Sequence, residues 1–216
     1  MPFVNKICVA PIWGDSRRFF MTNTQNKIYK LVGTGILAAI IVVLQVVTTY
    51  FPTKPFSITL ALIPIIIGAA VFDEYVGAIL GGVFSIVVII MCVIGADVGG
   101  AMVWNANPFL CIVVCMLKGV AAGYVSGLVY RLISKKNTII ATVVAGISAP
   151  VVNTGIFLLG LSIFFRPVLF AWAGKTDIVF YVLFMLTGLN FLVELGVNMV
   201  AAPIIVRILK AIKVVK

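Results

Sequence analysis

Apolar runs of about 20 residues, each long enough to cross a bilayer, recur along this chain from near Leu31 to its end. A helix of that length rises about 30 Å, the thickness of the hydrocarbon core. Backbone N–H and C=O groups find no water at that depth, so each run must satisfy them within its own segment, as a helix. Composition points the same way. Of the 216 residues, 63% are hydrophobic and only 10% are charged, far from the makeup of a soluble domain. The expected fold is all-α, a polytopic membrane protein with six transmembrane helices.

The first span runs from about Leu31 to Tyr50 and carries two small-xxx-small pairs, Thr34 with Ala38 and Gly35 with Ala39. Such pairs let another helix backbone approach closely, either within the monomer or on a partner. After the proline-bounded turn FPTKPFS comes a short run from Ile58 to about Phe72; Pro64 predicts that it is kinked or tilted. Asp73-Glu74 turns the chain into a glycine-rich third span, Tyr75 to Ile94. Gly95 to Asn107 reads as a loop, the longest polar interruption between spans and the natural lid. A fourth span follows from about Pro108 to Leu132, with proline in its first turn. The fifth runs from Thr138 to about Phe165 with Pro150 and Asn153 inside it, and Arg166 to Asp177 connects it to a last helix from Ile178 to about Leu209.

Residues 1–26 form an N-terminal extension that lacks the apolar core of a secretory signal. Residues 27–216 are then the membrane domain. Met21 is an alternative start, and Trp13, Phe19 and Phe20 suit an interfacial segment.

A net charge of +10 raises nucleic acid as a partner, but the basic residues flank spans and form no stripe with interleaved aromatics. Lys27, Lys30, Arg131, Lys135, Lys136 and the basic tail from Arg207 fall on one side of a six-helix arrangement. Only Lys54, Arg166 and Lys175 fall on the other. Both termini are therefore expected in the cytoplasm, with Gly95–Asn107 facing outward.

Lys118 is the only basic residue deep inside an apolar run. A charge at that depth is expensive in lipid and should face a protein interior, a cavity or a partner. Counted inward from the outer helix ends, Lys118, Asn153 and Asn190 all lie roughly 10–12 residues deep, at about 1.5 Å per residue. On the last helix Asn190, Glu194 and Asn198 are spaced by four and share a face. Polar groups at one level on three helices predict a lined pocket. There Lys118 would bind a carboxylate or carbonyl of a small solute while the asparagines supply donors and acceptors. Trp104 and Asn107, near the outer mouth, are expected to cover it. The alternative is a Lys118–Glu194 ion pair that only ties two helices together. The two coexist if Glu194 holds Lys118 in place.

Catalysis finds no support. The chain has no histidine, no carboxylate pair at a catalytic spacing and no nucleophile beside a base. A Walker A phosphate loop is missing from the sequence, and nothing resembles a channel selectivity sequence. Cys111 and Cys115 share a helical face, but without histidine they read as packing, not metal ligands. No cofactor is implied. A solute pocket without an energy source of its own points to a binding subunit that borrows one.

The chain resembles the substrate-capture (S) components of energy-coupling factor (ECF) transporters, bacterial micronutrient importers, over about residues 27–212. The likeness rests on the stretch ITLALIPIIIGAAVFDEYVGAILGGVFS ending at Ser85, NPFLCIVVCMLKGVAAGYVSGLVY at 107–130, and SAPVVNTGIFLLG at 148–160. Asp73-Glu74 departs from the glycine-proline type of turn common among relatives. The resemblance implies a bacterial cell-membrane protein whose outward pocket, built by the later helices, binds a water-soluble vitamin. It also implies a transmembrane coupling subunit and two cytoplasmic ATPases as partners. The coupling subunit would dock on the small residues of the first helix, here Thr34, Gly35, Ala38 and Ala39. KGVAAGYVSGLVY and PVVNTGIFLLG look most like the pantothenate branch, with Lys118 facing a carboxylate and Asn153 and Asn190 reading an amide and hydroxyls. Riboflavin, folate and a thiamine-like cation, the last through Glu194, are the alternatives.

Overall fold

A computed structural model describes residues 23–50, 59–174 and 188–211. The segment ahead of Asn23, the FPTKPFS turn and the first part of the last expected span lie outside the described residues. Eight helices follow in order among those described: α1 (Asn23–Tyr50), α2 (Leu62–Val71), α3 (Glu74–Val93), α4 (Val98–Ala106), α5 (Pro108–Ser134), α6 (Thr138–Phe164), α7 (Arg166–Ala173) and α8 (Gly188–Ala211).

Four of these, α1 from Lys27, α3, α5 and α6, are long and apolar enough to cross a membrane. The second expected span exists as α2, but at 10 residues it rises only about 15 Å, half the hydrocarbon thickness. The last expected span is α8, 24 residues with Pro203 inside it. Two stretches read from sequence as connections are partly helical. Gly95–Asn107 contains α4, and Arg166–Asp177 contains α7. Weak helix propensity in VGGAMVWNA is overridden by tertiary contact. Gly99 and Val103 are buried, and a methyl at Gly100 would overlap the Cys92 sulfur of α3.

Helix starts follow from local capping. Asn107 accepts a hydrogen bond from the Leu110 N–H at 3.1 Å, with Pro108 in the first turn of α5. Asn137 does the same for Ile139 and Ile140 at the start of α6. A cap of this kind satisfies backbone donors that have no partner inside the helix. The Asp73-Glu74 dipeptide does more. Asp73 caps α3 through the Val76 N–H at 2.8 Å and pairs with Lys30 of α1, while buried Glu74 pairs with Arg131 of α5. Two consecutive acids thus tie the start of α3 to helices on either side of it.

The centre of the bundle is the antiparallel α3–α5 contact. A methyl at Gly77 would overlap the Gly123 carbonyl oxygen, and one at Gly81 the Gly119 carbonyl oxygen. One step further, the Ser85 hydroxyl donates to the Cys115 carbonyl at 2.7 Å. Contacts that step by four along both helices bring the backbones together along one seam. α6 packs on α5, α8 packs on α6 and α2, and α1 packs on α3 and α2. Large apolar side chains also face outward, including Ile36 and Val43 on α1, Leu159 and Ile163 on α6, and Val200 on α8. A surface this apolar on several sides of one bundle is suited to lipid.

Candidate functional site

A cavity of about 100 Å³ lies within the bundle. Lys118 of α5, Asn153 of α6 and Glu194 of α8 all line it, so three of the polar residues singled out in the sequence share one space. Asn190 belongs to the first turn of α8, but its side chain lies outside the described residues. Asn198, one turn beyond Glu194, is fully buried with neither amide atom hydrogen-bonded, and it does not reach the cavity wall.

Trp104 and Asn107 are not on the wall either. Trp104 packs half-buried against the apolar core, and Asn107 is exposed and engaged in capping α5. Their neighbours reach the wall instead. Asp97, Gly100 and Val103, from α4 and the turn before it, line the cavity. α4 is tied in turn to α7, where the Trp172 indole N–H donates to the Met102 sulfur at 2.8 Å.

Lys118 and Glu194 do not form an ion pair. Among the described residues the salt bridges are Lys30–Asp73 and Arg131–Glu74. The Lys118 ammonium instead sits 4.7 Å from the centre of the Phe157 ring, a cation–π contact across α5 and α6. Glu194, 6% exposed, accepts a hydrogen bond from the Thr59 backbone N–H at 3.2 Å. Asn153, also 6% exposed, has an amide oxygen with no hydrogen-bond partner. Most buried polar atoms in folded proteins are paired, so an orphaned oxygen on a cavity wall marks a place for a donor.

Several wall residues went unnoticed in the sequence. Phe84, Val88 and Cys92 of α3, and Cys111 and Cys115 of α5, make a soft apolar side, all three thiols being free and buried. Gln45 of α1 reaches the wall as well, with Thr59, Thr154 and Phe157. Gln45 was legible in principle, as an amide in the second half of an otherwise apolar span. Among the described residues no group of three or more His, Cys, Asp or Glu side chains forms a metal site.

A bundle of apolar helices around a small, partly polar cavity defines a polytopic helical membrane protein. The chain belongs to a family: residues 29–206 match the ECF transporter, substrate-specific component. No individual curated protein is similar enough to be matched. Members of this family are non-catalytic substrate-binding subunits without ATPase activity, and they work with a transmembrane coupling protein and ATPase subunits. The protein is thus a membrane-embedded transport component for micronutrient uptake.

Proposed function

We propose that this protein captures a small, water-soluble vitamin from outside a bacterial cell, holding it in the cavity between α1, α5, α6 and α8. The observation that carries the reading is convergence: Lys118, Asn153 and Glu194, from three helices far apart in sequence, line one space. An ammonium without a salt bridge among the described residues is available to an anionic group of the solute, where a charge-assisted hydrogen bond is strong. Pantothenate is the preferred solute, its carboxylate at Lys118 and its amide and hydroxyls at Asn153 and Asn190. A riboflavin-, folate- or thiamine-like compound is the alternative. The cavity's 100 Å³ is well below the roughly 300–1,000 Å³ of sites that enclose drug-sized ligands. Admission of a whole vitamin therefore requires a wall to move. α4 is the candidate lid, because it is short and its Gly100 and Val103 line the cavity.

In this reading six helices cross the membrane with both termini in the cytoplasm, and transport energy comes from two ATPase subunits through the coupling subunit. The docking face is on α1. Gly35 and Ala39 are exposed there, with Thr34 and Ala38 half-buried beside them, and a side chain at Gly35 would meet nothing within 4 Å. Mass spectrometry of small molecules released from mildly purified protein tests the capture function, followed by calorimetry with a vitamin panel that includes pantothenate. A released vitamin supports it. The assignment fails if no vitamin on the panel binds and Lys118→Ala leaves uptake by cells unchanged.

A further inference from the structure

Gln45 sits in the second half of α1 and is buried, whereas Gly35 and Ala39 earlier on the same helix are exposed. It is 4% exposed and lines the cavity. Its orientation is decided by Thr49. The Thr49 hydroxyl donates to the Gln45 backbone carbonyl at 2.8 Å, which uses its only proton. The same oxygen can then only accept from the Gln45 side chain, and it does so from Nε2 at 3.4 Å. That arrangement turns Oε1 away from Thr49, and Oε1 is buried with no hydrogen-bond partner. The second orphaned oxygen on the wall belongs to Asn153 of α6. Glu194 adds a third acceptor, which meets Thr59 through its backbone N–H at 3.2 Å.

We propose that Gln45 is a solute-contacting residue, and that the solute offers N–H or O–H donors to Gln45 and Asn153 while its anionic group lies at Lys118. This rests on the capture function argued above and narrows its substrate class to small anions that also carry hydroxyl, amide or ammonium groups. It also gives α1 two jobs. α1 packs on α2 and α3, and α6 on α5, α8, α2 and α7, without a substantial α1–α6 interface. A solute bridging Gln45 and Asn153 joins α1 to the later helices, so the helix with the exposed small-residue face senses occupancy directly.

The two oxygens also make the proposal separable from a structural role. An unpaired buried acceptor destabilises a fold, and its replacement by an apolar side chain of similar shape is neutral or stabilising. A binding residue therefore behaves oppositely to a packing residue when it is replaced. The test uses the full-length protein in detergent, immobilised and exposed to a boiled, size-filtered yeast extract, with captured small molecules identified by mass spectrometry. Wild type should retain a compound with an acidic group and at least two N–H or O–H donors. Gln45→Met should retain about ten-fold less or lower still, while its thermal midpoint without extract stays equal or rises. Gln45→Asn, which keeps a neutral amide acceptor at this position, should recover part of the capture if Gln45→Met proves unstable.

Full retention by Gln45→Met overturns the role of Gln45 and leaves the capture function standing. A captured compound without donor groups overturns the substrate class. Failure of Gln45→Asn to recover any capture, where Gln45→Met is unstable, overturns the contact. A wild-type protein that captures nothing overturns the capture function, and this proposal with it.

Discussion

Lys118 and Glu194 line one cavity without pairing: the ammonium lies 4.7 Å from the Phe157 ring centre, and the carboxylate accepts the Thr59 N–H at 3.2 Å. A buried ion pair would have explained both residues by each other. Their separate engagements leave neither side chain in a salt bridge among the described residues.

That arrangement has a measurable consequence. Lys118→Met should lower affinity for the captured solute at least ten-fold, the loss of one charge-assisted contact being worth about 1.5–3 kcal/mol. Adding Glu194→Gln should not restore it. Calorimetry on both single variants and the double variant gives the coupling; restoration by the double variant would return the two residues to the ion-pair interpretation.

The α3–α5 seam predicts where small changes are not tolerated. Gly81→Ala forces a methyl against the Gly119 carbonyl, a backbone atom that cannot swing aside. Overpacking of this kind costs about 1–3 kcal/mol and should lower the thermal midpoint in detergent. Gly155→Ala in α6 is the control. Its Cβ meets nothing within 4 Å, so the midpoint should hold or rise, a helical glycine being roughly 0.5–1 kcal/mol worse than alanine. Equal midpoints for the two variants would rule out close backbone packing at Gly81.

Asp73 supplies a pH-dependent term. Burial pushes its carboxyl up, but the hydrogen bond from Lys30 and the Val76 N–H outweigh this and hold it below its ordinary 3.8. A depressed carboxylate pKa means stability that is present above 3.8 and lost as the pH falls through the lowered folded value. Wild type should therefore lose stability below pH 3.8 more steeply than Asp73→Asn, whose curve lacks this component. Parallel melting curves for the two proteins across that acid range would remove Asp73 from the account.

The exposed face of α1 can be tested apart from solute binding. Gly35→Leu and Ala39→Leu place bulk where the isolated protein has none, so folding and solute capture should be unchanged. Assembly with the coupling subunit, followed by co-purification, should fall several-fold. Normal assembly of both variants would move the docking surface elsewhere.

Much of this was legible in the sequence because it is local. An apolar run of bilayer length specifies a helix wherever it sits, so α3, α5 and α6 appear close to their expected bounds, while α1 ends at the expected Tyr50 but begins at Asn23, well before the expected Leu31. Depth along a helix is a matter of counting, which is why Lys118, Asn153 and Asn190, with Glu194 on the same face as Asn190, could be grouped before their positions in space were known. Small residues are ambiguous in the same counting. Gly77 and Gly81 close an internal seam, whereas Gly35 faces outward, and nothing in their immediate neighbours separates the two cases. α4 was missed for a related reason: its glycines and polar residues have weak helix propensity, and contact with α3 compensates for it.

The sequence by itself determined an all-helical membrane protein with a few polar groups at a shared level, because hydrophobic length and helical periodicity are carried by consecutive residues. Only the tertiary structure decided which of those groups meet. It turned Gln45 inward and Trp104 and Asn107 away, and it set Lys118 on Phe157 in place of Glu194. Those outcomes depend on the rotation of each helix about its own axis. That rotation is set by packing against neighbours distant in the chain, above all by the close approach of α3 and α5 through their glycines.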